Sequence, residues 1–162
     1  MILPLTADNR ERTKMTDPVS VEARLQRLED LEEIRELLIE YQRMLDGKDL
    51  AGYAALFATN GEFVAGDIRA QGHEEIRALV EGMLGHLLTT EQGDDAHLVV
   101  NPSVHLDGDR ATTAVTWAYI VRGPDDQPLL SKLGHYEDVV VRERGRWRFL
   151  RRSASADIPA RA

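Results

Sequence analysis

The sequence contains no cysteine among its 162 residues. This absence excludes disulfide bonds, thiolate metal ligands and a cysteine nucleophile. The sequence also lacks an apolar run long enough to span a bilayer, and Pro4 interrupts the apolar opening too early for a secretory signal. From these absences we expect a cytoplasmic protein that does not bind a membrane.

Motifs of several large enzyme classes are missing as well. There is no glycine-rich phosphate loop, no Gly-x-Ser-x-Gly elbow and no His-Glu-x-x-His pair. Asp46, His97 and His135 have side chains that bind metals, but their spacing matches no recognised metal site. We therefore predict no metal and no cofactor. The net charge of −8 argues against nucleic acid as a partner, because the phosphate backbone would be repelled.

A long amphipathic helix pattern, ending at Asp46, organises the sequence. Its apolar positions recur every three or four residues and share one face: Val21, Leu25, Leu28, Leu31, Ile34, Leu38, Tyr41 and Leu45. Ser20, or Asp17 followed by Pro18, is the predicted N-cap, and Gly47 ends the helix. A carboxylate in the last turn is disfavoured by the helix dipole. Asp46 is therefore either a turn residue or a functional group.

The remaining pattern predicts an α+β domain over residues 17–157, preceded by a mobile arm (1–16) and followed by a short tail (158–162). Two shorter helices are expected, one capped by Asp49 and ending near Thr59-Asn60-Gly61, and one from His73 or Glu74 to about residue 88. Two short strands flank Gly66. Four long strands then form an antiparallel meander over residues 97–106, 111–122, 131–142 and 146–155. We expect a curved antiparallel sheet wrapped around the long helix and open at one end.

Strand alternation indicates which side chains share a face. His97 begins the first long strand, where Pro102 predicts a bulge or a sheet edge. Trp117 and Tyr119 share a bulky face that forms either core or a ligand contact. On the last strand Arg151 is in phase with two large apolar side chains, so it either pairs with a carboxylate or stabilises an anion in a pocket.

The segments that carry a family resemblance occur in a fixed order along the chain. They are Tyr41-x-x-x-x-Asp46, residues 49–57, Gly72-His73-Glu74-Glu75-Ile76, residues 96–102, and residues 134–138 running into 145–149. Together they resemble the SnoaL-like branch of the nuclear-transport-factor-two-like superfamily. The resemblance implies a cone-shaped α+β barrel with a deep apolar pocket, usually in a homodimer or homotrimer.

The resemblance also implies roles for particular residues. Scytalone dehydratase, bile-acid dehydratase and hexachlorocyclohexane dehydrochlorinase have an aspartate at the position of Asp46 and a histidine, the base, at that of His97. The resemblance also implies roles for Tyr41 and for an arginine near the end of the last strand. That arginine is Arg151, or Arg152 if the strand phase is shifted. Leu45 stands where scytalone dehydratase has a tyrosine, which argues against scytalone as the substrate.

These observations predict a cofactor-independent lyase of the dehydratase type, or an isomerase, that acts on a hydrophobic cyclic, aromatic or steroid-like molecule. Asp46 and His97 form its general-base dyad, assisted by Tyr41 and Arg151. The side chains expected to contact substrate are Tyr53, Phe63, Met83, Trp117, Tyr119 and His135. Two alternatives remain: a non-catalytic module that binds a small molecule, and a dimerisation scaffold whose interior is packed without a pocket.

Overall fold

The computed structural model describes residues 20–84 and 95–159. Within them lie the helices α1 (Val21–Asp46), α2 (Leu50–Ala55) and α3 (Gly72–Leu84). The strands are β1 (Phe57–Ala65), β2 (Ile68–Gln71), β3 (Asp95–Asp107), β4 (Arg110–Arg122), β5 (Pro128–Glu143) and β6 (Arg146–Ile158). The predicted α+β class is confirmed. The predicted N-terminal arm, the Asp17 cap and the end of the third helix lie outside the described residues.

The six strands form one sheet in the order β2-β1-β6-β5-β4-β3. Strands β3 to β6 are the antiparallel meander that the sequence predicts. Strand β1, however, pairs with β6 in the parallel direction, so the sheet is mixed. No hairpin joins these two strands, and hence no tight turn imposes an antiparallel direction on them.

Helix α1 packs against the sheet only from its second third onwards. Ser20 caps it, its side chain accepting a hydrogen bond of 3.1 Å from the Ala23 backbone N–H. The predicted stripe is exposed at Val21, Leu25 and Leu28, because this part of the helix has no described segment against it. The buried face of the helix consists of Asp30, Ile34, Leu37, Leu38 and Tyr41.

Asp30 fixes the start of that buried face to the sheet. Its carboxylate accepts hydrogen bonds from Gln26, from Arg142 on β5 and from the Trp147 indole on β6. Burial opposes ionisation of Asp30, but these hydrogen bonds outweigh it and hold the pKa below its usual value.

The predicted end of the second helix is wrong. Asp49 caps α2 as expected, accepting from the Gly52 N–H at 2.8 Å, but the helix stops at Ala55. Phe57 already belongs to β1 and pairs with Phe149, with their rings 5.4 Å apart. Packing in the sheet has overridden a helical spacing that was compatible with either state.

Two of the register shifts in the sheet bear directly on the predicted site residues. In edge strand β3 the register shifts between Val100 and Ser103, which confirms the bulge predicted at Pro102. In β6 the pairing jumps from Phe149 to Arg151, so Leu150 is an extra residue. Beyond this second bulge the inward and outward positions of β6 are exchanged.

Candidate active site

A cavity of about 350 Å³ lies between the end of α1, α3 and the inner face of the sheet. Its walls are mainly apolar and aromatic. The lining consists of Tyr41, Leu45, Tyr53, Phe63, Ala65, Val80, Met83, His97, Trp117, Tyr119, Lys132, Tyr136, Ala154, Ser155, Ala156 and Pro159. A cavity in this place contradicts the interpretation as a scaffold with a solidly packed interior.

The structure brings Asp46 and His97 together at this cavity. Nδ1 of His97 lies 2.7 Å from Oδ1 of Asp46, and the backbone N–H of His97 donates to both carboxylate oxygens at 3.1 Å. The side chain of His97 is 16% exposed and that of Asp46 is 25% exposed. With the carboxylate as acceptor, Nδ1 carries the hydrogen and Nε2 of the neutral ring is free to accept a proton.

The same contacts explain how a carboxylate is tolerated in the last turn of α1. The helix dipole disfavours Asp46, but hydrogen bonds from a backbone N–H and an imidazole offset that cost. Lys48 then adopts a positive φ of 59°, which turns the chain into α2. Asp46 is thus both the last residue of the helix and the partner of His97.

Tyr119 lies beside His97 on the neighbouring strand. The two rings are 4.6 Å apart and inclined by 32°, and the Tyr119 hydroxyl donates to Asp95 at 2.9 Å. Burial, together with Asp95, raises the pKa of Tyr119, so its hydroxyl stays protonated at neutral pH. Because that hydrogen is already donated, Tyr119 supports the His97 ring rather than offering a free donor.

Tyr41 and Tyr53 provide two of the buried hydroxyl groups of the cavity. Their oxygens lie 2.7 Å apart, and burial raises the pKa of both side chains. One hydroxyl donates to the other, which leaves one hydrogen of the pair for another acceptor. Tyr41 and Tyr53 therefore remain candidate donors to a ligand.

The prediction that Arg151 faces the pocket is wrong. Arg151 lies on the outer face of the sheet with 49% of its side chain exposed, and its Nε is 3.7 Å from Glu62. The bulge at Leu150 exchanges the two faces, so Arg152 points inward instead. Arg152 is 0% exposed.

Arg152 forms a buried ion pair behind the cavity wall. Its Nε and Nη2 donate to Asp138 at 2.8 and 2.7 Å, and Thr113 donates to the same carboxylate at 2.8 Å. The guanidinium lies over the rings of Tyr41 and Tyr136, 3.8 and 4.2 Å from their centroids. Arg152 thus orders two pocket-lining tyrosines without lining the cavity itself.

The prediction that His135 contacts substrate is also wrong. Its Nδ1 lies 3.0 Å from Asp157 on the outer face, where both side chains are half-exposed. Gly134 and Tyr136 are the inward positions of β5, because Trp117 occupies the space beside Gly134. The alternation of Gly134, Tyr136 and Asp138 was visible in the sequence, and it was the signal that sequence reasoning missed.

The structure places the other five predicted contact residues at the cavity. Tyr53, Phe63, Met83, Trp117 and Tyr119 all line the cavity, Met83 at its exposed rim. Across the described residues, no group of three His, Asp or Glu side chains is placed to hold a metal ion. Nor does that part of the chain contain a helix long and apolar enough to cross a membrane.

Residues 26–153 match the protein family described as the SnoaL-like domain. A comparison with curated proteins finds no match. Among solved structures, the chain is 28% identical to an NTF2-like protein with a cystatin-like fold from Novosphingobium aromaticivorans. That superposition has a TM-score of 0.76 and covers 88% of this chain and 91% of the other.

Two further structures share the fold at lower identity. One, from Novosphingobium aromaticivorans, is provisionally assigned as a scytalone dehydratase: 24% identity, TM-score 0.68, covering 82% of this chain and 87% of that one. The other is ActVI-ORFA from Streptomyces coelicolor: 24% identity, TM-score 0.68, covering 79% of this chain and 98% of that one. At this identity the likeness establishes the fold alone.

Proposed function

The chain belongs to the SnoaL-like domain family, and on that premise we propose that it is a cofactor-independent lyase of the dehydratase type or a double-bond isomerase. Its substrate is a hydrophobic cyclic or aromatic molecule with a carbonyl group. The observation that carries the proposal is the contact of 2.7 Å between His97 and Asp46 at the wall of an apolar cavity. An imidazole oriented by a carboxylate is a general base in the correct tautomer.

In the proposed reaction, Nε2 of His97 removes a proton from the carbon next to the carbonyl. The electron pair of that C–H bond moves toward the carbonyl oxygen, which becomes an enolate. Asp46 holds the Nδ1 hydrogen and stabilises the imidazolium that forms. A hydroxyl of the Tyr41–Tyr53 pair donates to the enolate oxygen, since both side chains remain protonated.

The enolate then has two outcomes. In a dehydration the enolate electrons re-form the carbonyl group and the carbon–oxygen bond of a β-hydroxyl breaks. The imidazolium of His97 then supplies the proton that makes the departing hydroxyl a water molecule. In an isomerisation the same imidazolium returns its proton to a different carbon. Both outcomes use the same residues, so proton abstraction by His97 is the step that defines the proposal.

The cavity sets the size of the substrate. A volume of about 350 Å³ lies at the lower end of the range for small-molecule pockets, about 300–1,000 Å³. Fused two- or three-ring molecules fit this space. Apart from the dyad, the one charged side chain among the lining residues is Lys132, which is exposed at the rim.

The second candidate is a module that binds such a molecule without converting it. Its support is that several polar groups of the pocket already have partners: Tyr119 donates to Asp95, and Tyr41 contacts Tyr53. This candidate predicts binding that does not depend on the His97 imidazole and leads to no product.

The test is the conversion of 4-hydroxy-2-tetralone, a bicyclic β-hydroxy ketone. Loss of water gives 2-naphthol after tautomerisation, and 2-naphthol is followed by its fluorescence. The proposal predicts product with the wild type and with His135→Ala, whose histidine pairs with an aspartate outside the pocket. It predicts none above the buffer rate with His97→Ala. Binding without product in the wild type supports the second candidate instead.

A further inference from the structure

We propose that Asp95 is a positioning residue of the candidate active site. It accepts the hydrogen bond of the Tyr119 hydroxyl and thereby fixes the Tyr119 ring against the face of the His97 imidazole. The inference deepens the proposed function and rests on it for the role of His97 as the base. Asp95 is not among the described residues that line the cavity, so we assign it no contact with substrate.

The contact with Asp46 orients the His97 ring in only one respect. The hydrogen bond of 2.7 Å between Nδ1 and Oδ1 sets the direction of the Nδ1–H bond. It leaves the ring plane free to tilt about that direction, and the tilt decides where the lone pair of Nε2 points. A misplacement of about 1 Å at a reacting group can cost about 10²-fold in rate. A second contact, on the face of the ring, is therefore needed to fix the base.

Tyr119 provides that second contact. It lies directly opposite His97 in the pairing of β3 with β4. The two ring centroids are 4.6 Å apart and the ring planes are inclined by 32°. An aromatic face in this position restricts the tilt of the imidazole. It also stabilises the imidazolium that forms when His97 takes a proton, because the face of an aromatic ring attracts a cation.

Asp95 holds the far end of the Tyr119 side chain. Asp95 and His97 are two positions apart on β3 and therefore share a face of that strand. Tyr119 is opposite His97, whereas Asp95 is opposite Val121, so the contact between Tyr119 and Asp95 is diagonal. An aromatic side chain is long enough to make such a contact, and the hydroxyl donates to Oδ2 of Asp95 at 2.9 Å. The ring is thus fixed by the strand at one end and by Asp95 at the other.

The hydrogen bond to Asp95 is charge-assisted, and such bonds are about twice as strong as neutral ones. Tyr119 is 8% exposed. Burial, the hydrogen bond to Asp95 and the charges of Asp95 and Asp46 all raise the pKa of Tyr119. The hydroxyl therefore keeps its hydrogen at neutral pH and remains the donor. The Tyr119 ring stays in place while His97 takes up and releases a proton.

The experiment is a double-mutant cycle of Asp95→Ala and Tyr119→Phe, of which the second removes the hydroxyl and keeps the ring. The rate of deuterium exchange into 2-tetralone, a bicyclic ketone, reports proton abstraction by His97. We expect each single variant to slow exchange by about 3- to 30-fold, the effect of losing a partly desolvated cation–π contact. The double variant is expected to be no slower than the single variants, because Asp95 then has no hydroxyl to hold.

Asp95→Asn is the conservative variant. Its amide oxygen accepts the same hydrogen bond from Tyr119 without the charge, so we expect exchange within about threefold of the wild-type rate. The matched control is Asp107→Ala, which removes an exposed carboxylate at the other end of β3 and is expected to keep the wild-type rate. If Asp95→Ala does not fold, the inference still requires Asp95→Asn to keep the rate and Tyr119→Phe to lose it.

The imidazole C–H signals of His97 provide a readout that needs no substrate. The chain has five histidines, and His97→Gln assigns the signals in a ¹H–¹³C correlation spectrum. The inference predicts that Asp95→Ala displaces the His97 signals and leaves those of His135 on the outer face unchanged. In the Tyr119→Phe background the same substitution is expected to displace them much less. A merely structural role of Asp95 would produce the same displacement in both backgrounds.

The inference is overturned if Asp95→Ala keeps the wild-type rate, if it leaves the His97 signals in place, or if the two substitutions slow exchange additively. It is also overturned if Asp95→Asn is as slow as Asp95→Ala, since Asp95 then acts through its charge. Failure of the proposed function is recognised separately, because the wild type then does not accelerate exchange. In that case the His97 signals alone decide whether Asp95 positions the imidazole.

Discussion

Nδ1 of His97 lies 2.7 Å from Oδ1 of Asp46, although 51 positions separate the two residues in the sequence. The contact joins the last residue of α1 to the start of edge strand β3, and it lies at the wall of the apolar cavity. The Asp46 carboxylate contacts both the ring Nδ1 and the backbone N–H of His97. This arrangement orients the imidazole before any ligand arrives.

Asp46→Asn tests the orienting role. The amide can accept from Nδ1–H but does not stabilise an imidazolium, and it can also select the wrong tautomer by donating to the ring. We expect the rate of proton abstraction to fall by about 10²- to 10⁴-fold, as for an orienting aspartate in other dyads and triads. The rate is measured on 4-hydroxy-2-tetralone.

The matched control is Asp157→Asn, since Asp157 contacts His135 at 3.0 Å on the outer face of the sheet. That variant is expected to keep the wild-type rate. An Asp46→Asn protein that keeps a rate within twofold of the wild type contradicts the assignment.

Arg152→Met tests the ion pair behind the pocket. The change leaves Asp138 buried without its charged partner, which is expected to cost about 3–5 kcal/mol in the free energy of unfolding. Arg151→Met, one position away but half-exposed, is expected to cost less than about 1 kcal/mol. Urea unfolding measures both. Equal losses for the two variants contradict the inward position of Arg152.

Gly134→Ala tests the space beside Trp117. The new methyl group would lie 2.0 Å from the Ser155 carbonyl oxygen and 2.4 Å from the indole. We expect a loss of about 2–3 kcal/mol in the free energy of unfolding, typical of overpacking. Thermal unfolding gives the change.

Its control is Gly82→Ala in α3, where no described atom beyond the chain neighbours and the helix's own backbone lies within 4 Å of the added methyl group. Alanine in a helix interior is expected to stabilise by about 0.5–1 kcal/mol. If Gly134→Ala is also neutral or stabilising, the close approach of Trp117 does not exist in solution.

Asp30 predicts a pH dependence of stability. Its pKa is lower in the folded protein than in the unfolded chain, so its contribution is present above about pH 4 and is lost as the pH falls through the folded-state pKa. Asp30→Asn is expected to cost about 2 kcal/mol at pH 7, and the difference from the wild type should shrink in acid.

Urea unfolding between pH 7 and pH 3 measures this convergence. Glu33→Gln, an exposed change on the same helix, is expected to stay within about 0.5 kcal/mol of the wild type at pH 7. A constant difference between wild type and Asp30→Asn across the range contradicts the lowered pKa.

Periodicity was sufficient to predict the helices, the meander and the pocket face. The spacing in α1 identified Ile34, Leu38 and Tyr41 as core, and alternation placed Trp117 and Tyr119 on one wall. These predictions succeed because a buried face leaves a regular pattern in the sequence.

The errors have local causes that a periodic pattern does not carry. One extra residue, Leu150, turns Arg152 inward and Arg151 outward, and no sequence signal marks that bulge. His135 is the exception, because the alternation of Gly134, Tyr136 and Asp138 indicates its outward phase, although Gly134 has no side chain to make that alternation evident. The parallel pairing of β1 with β6 depends on contacts between distant parts of the chain.

The most direct test of the account is deuterium exchange into 2-tetralone in heavy water, followed by mass spectrometry. The hydrogens next to its carbonyl report proton abstraction without any later elimination or isomerisation. We predict that the wild type and His135→Gln accelerate exchange above the buffer rate and that His97→Gln does not. Exchange that is equally fast with His97→Gln, or no acceleration by the wild type, contradicts the assignment of His97 as the base.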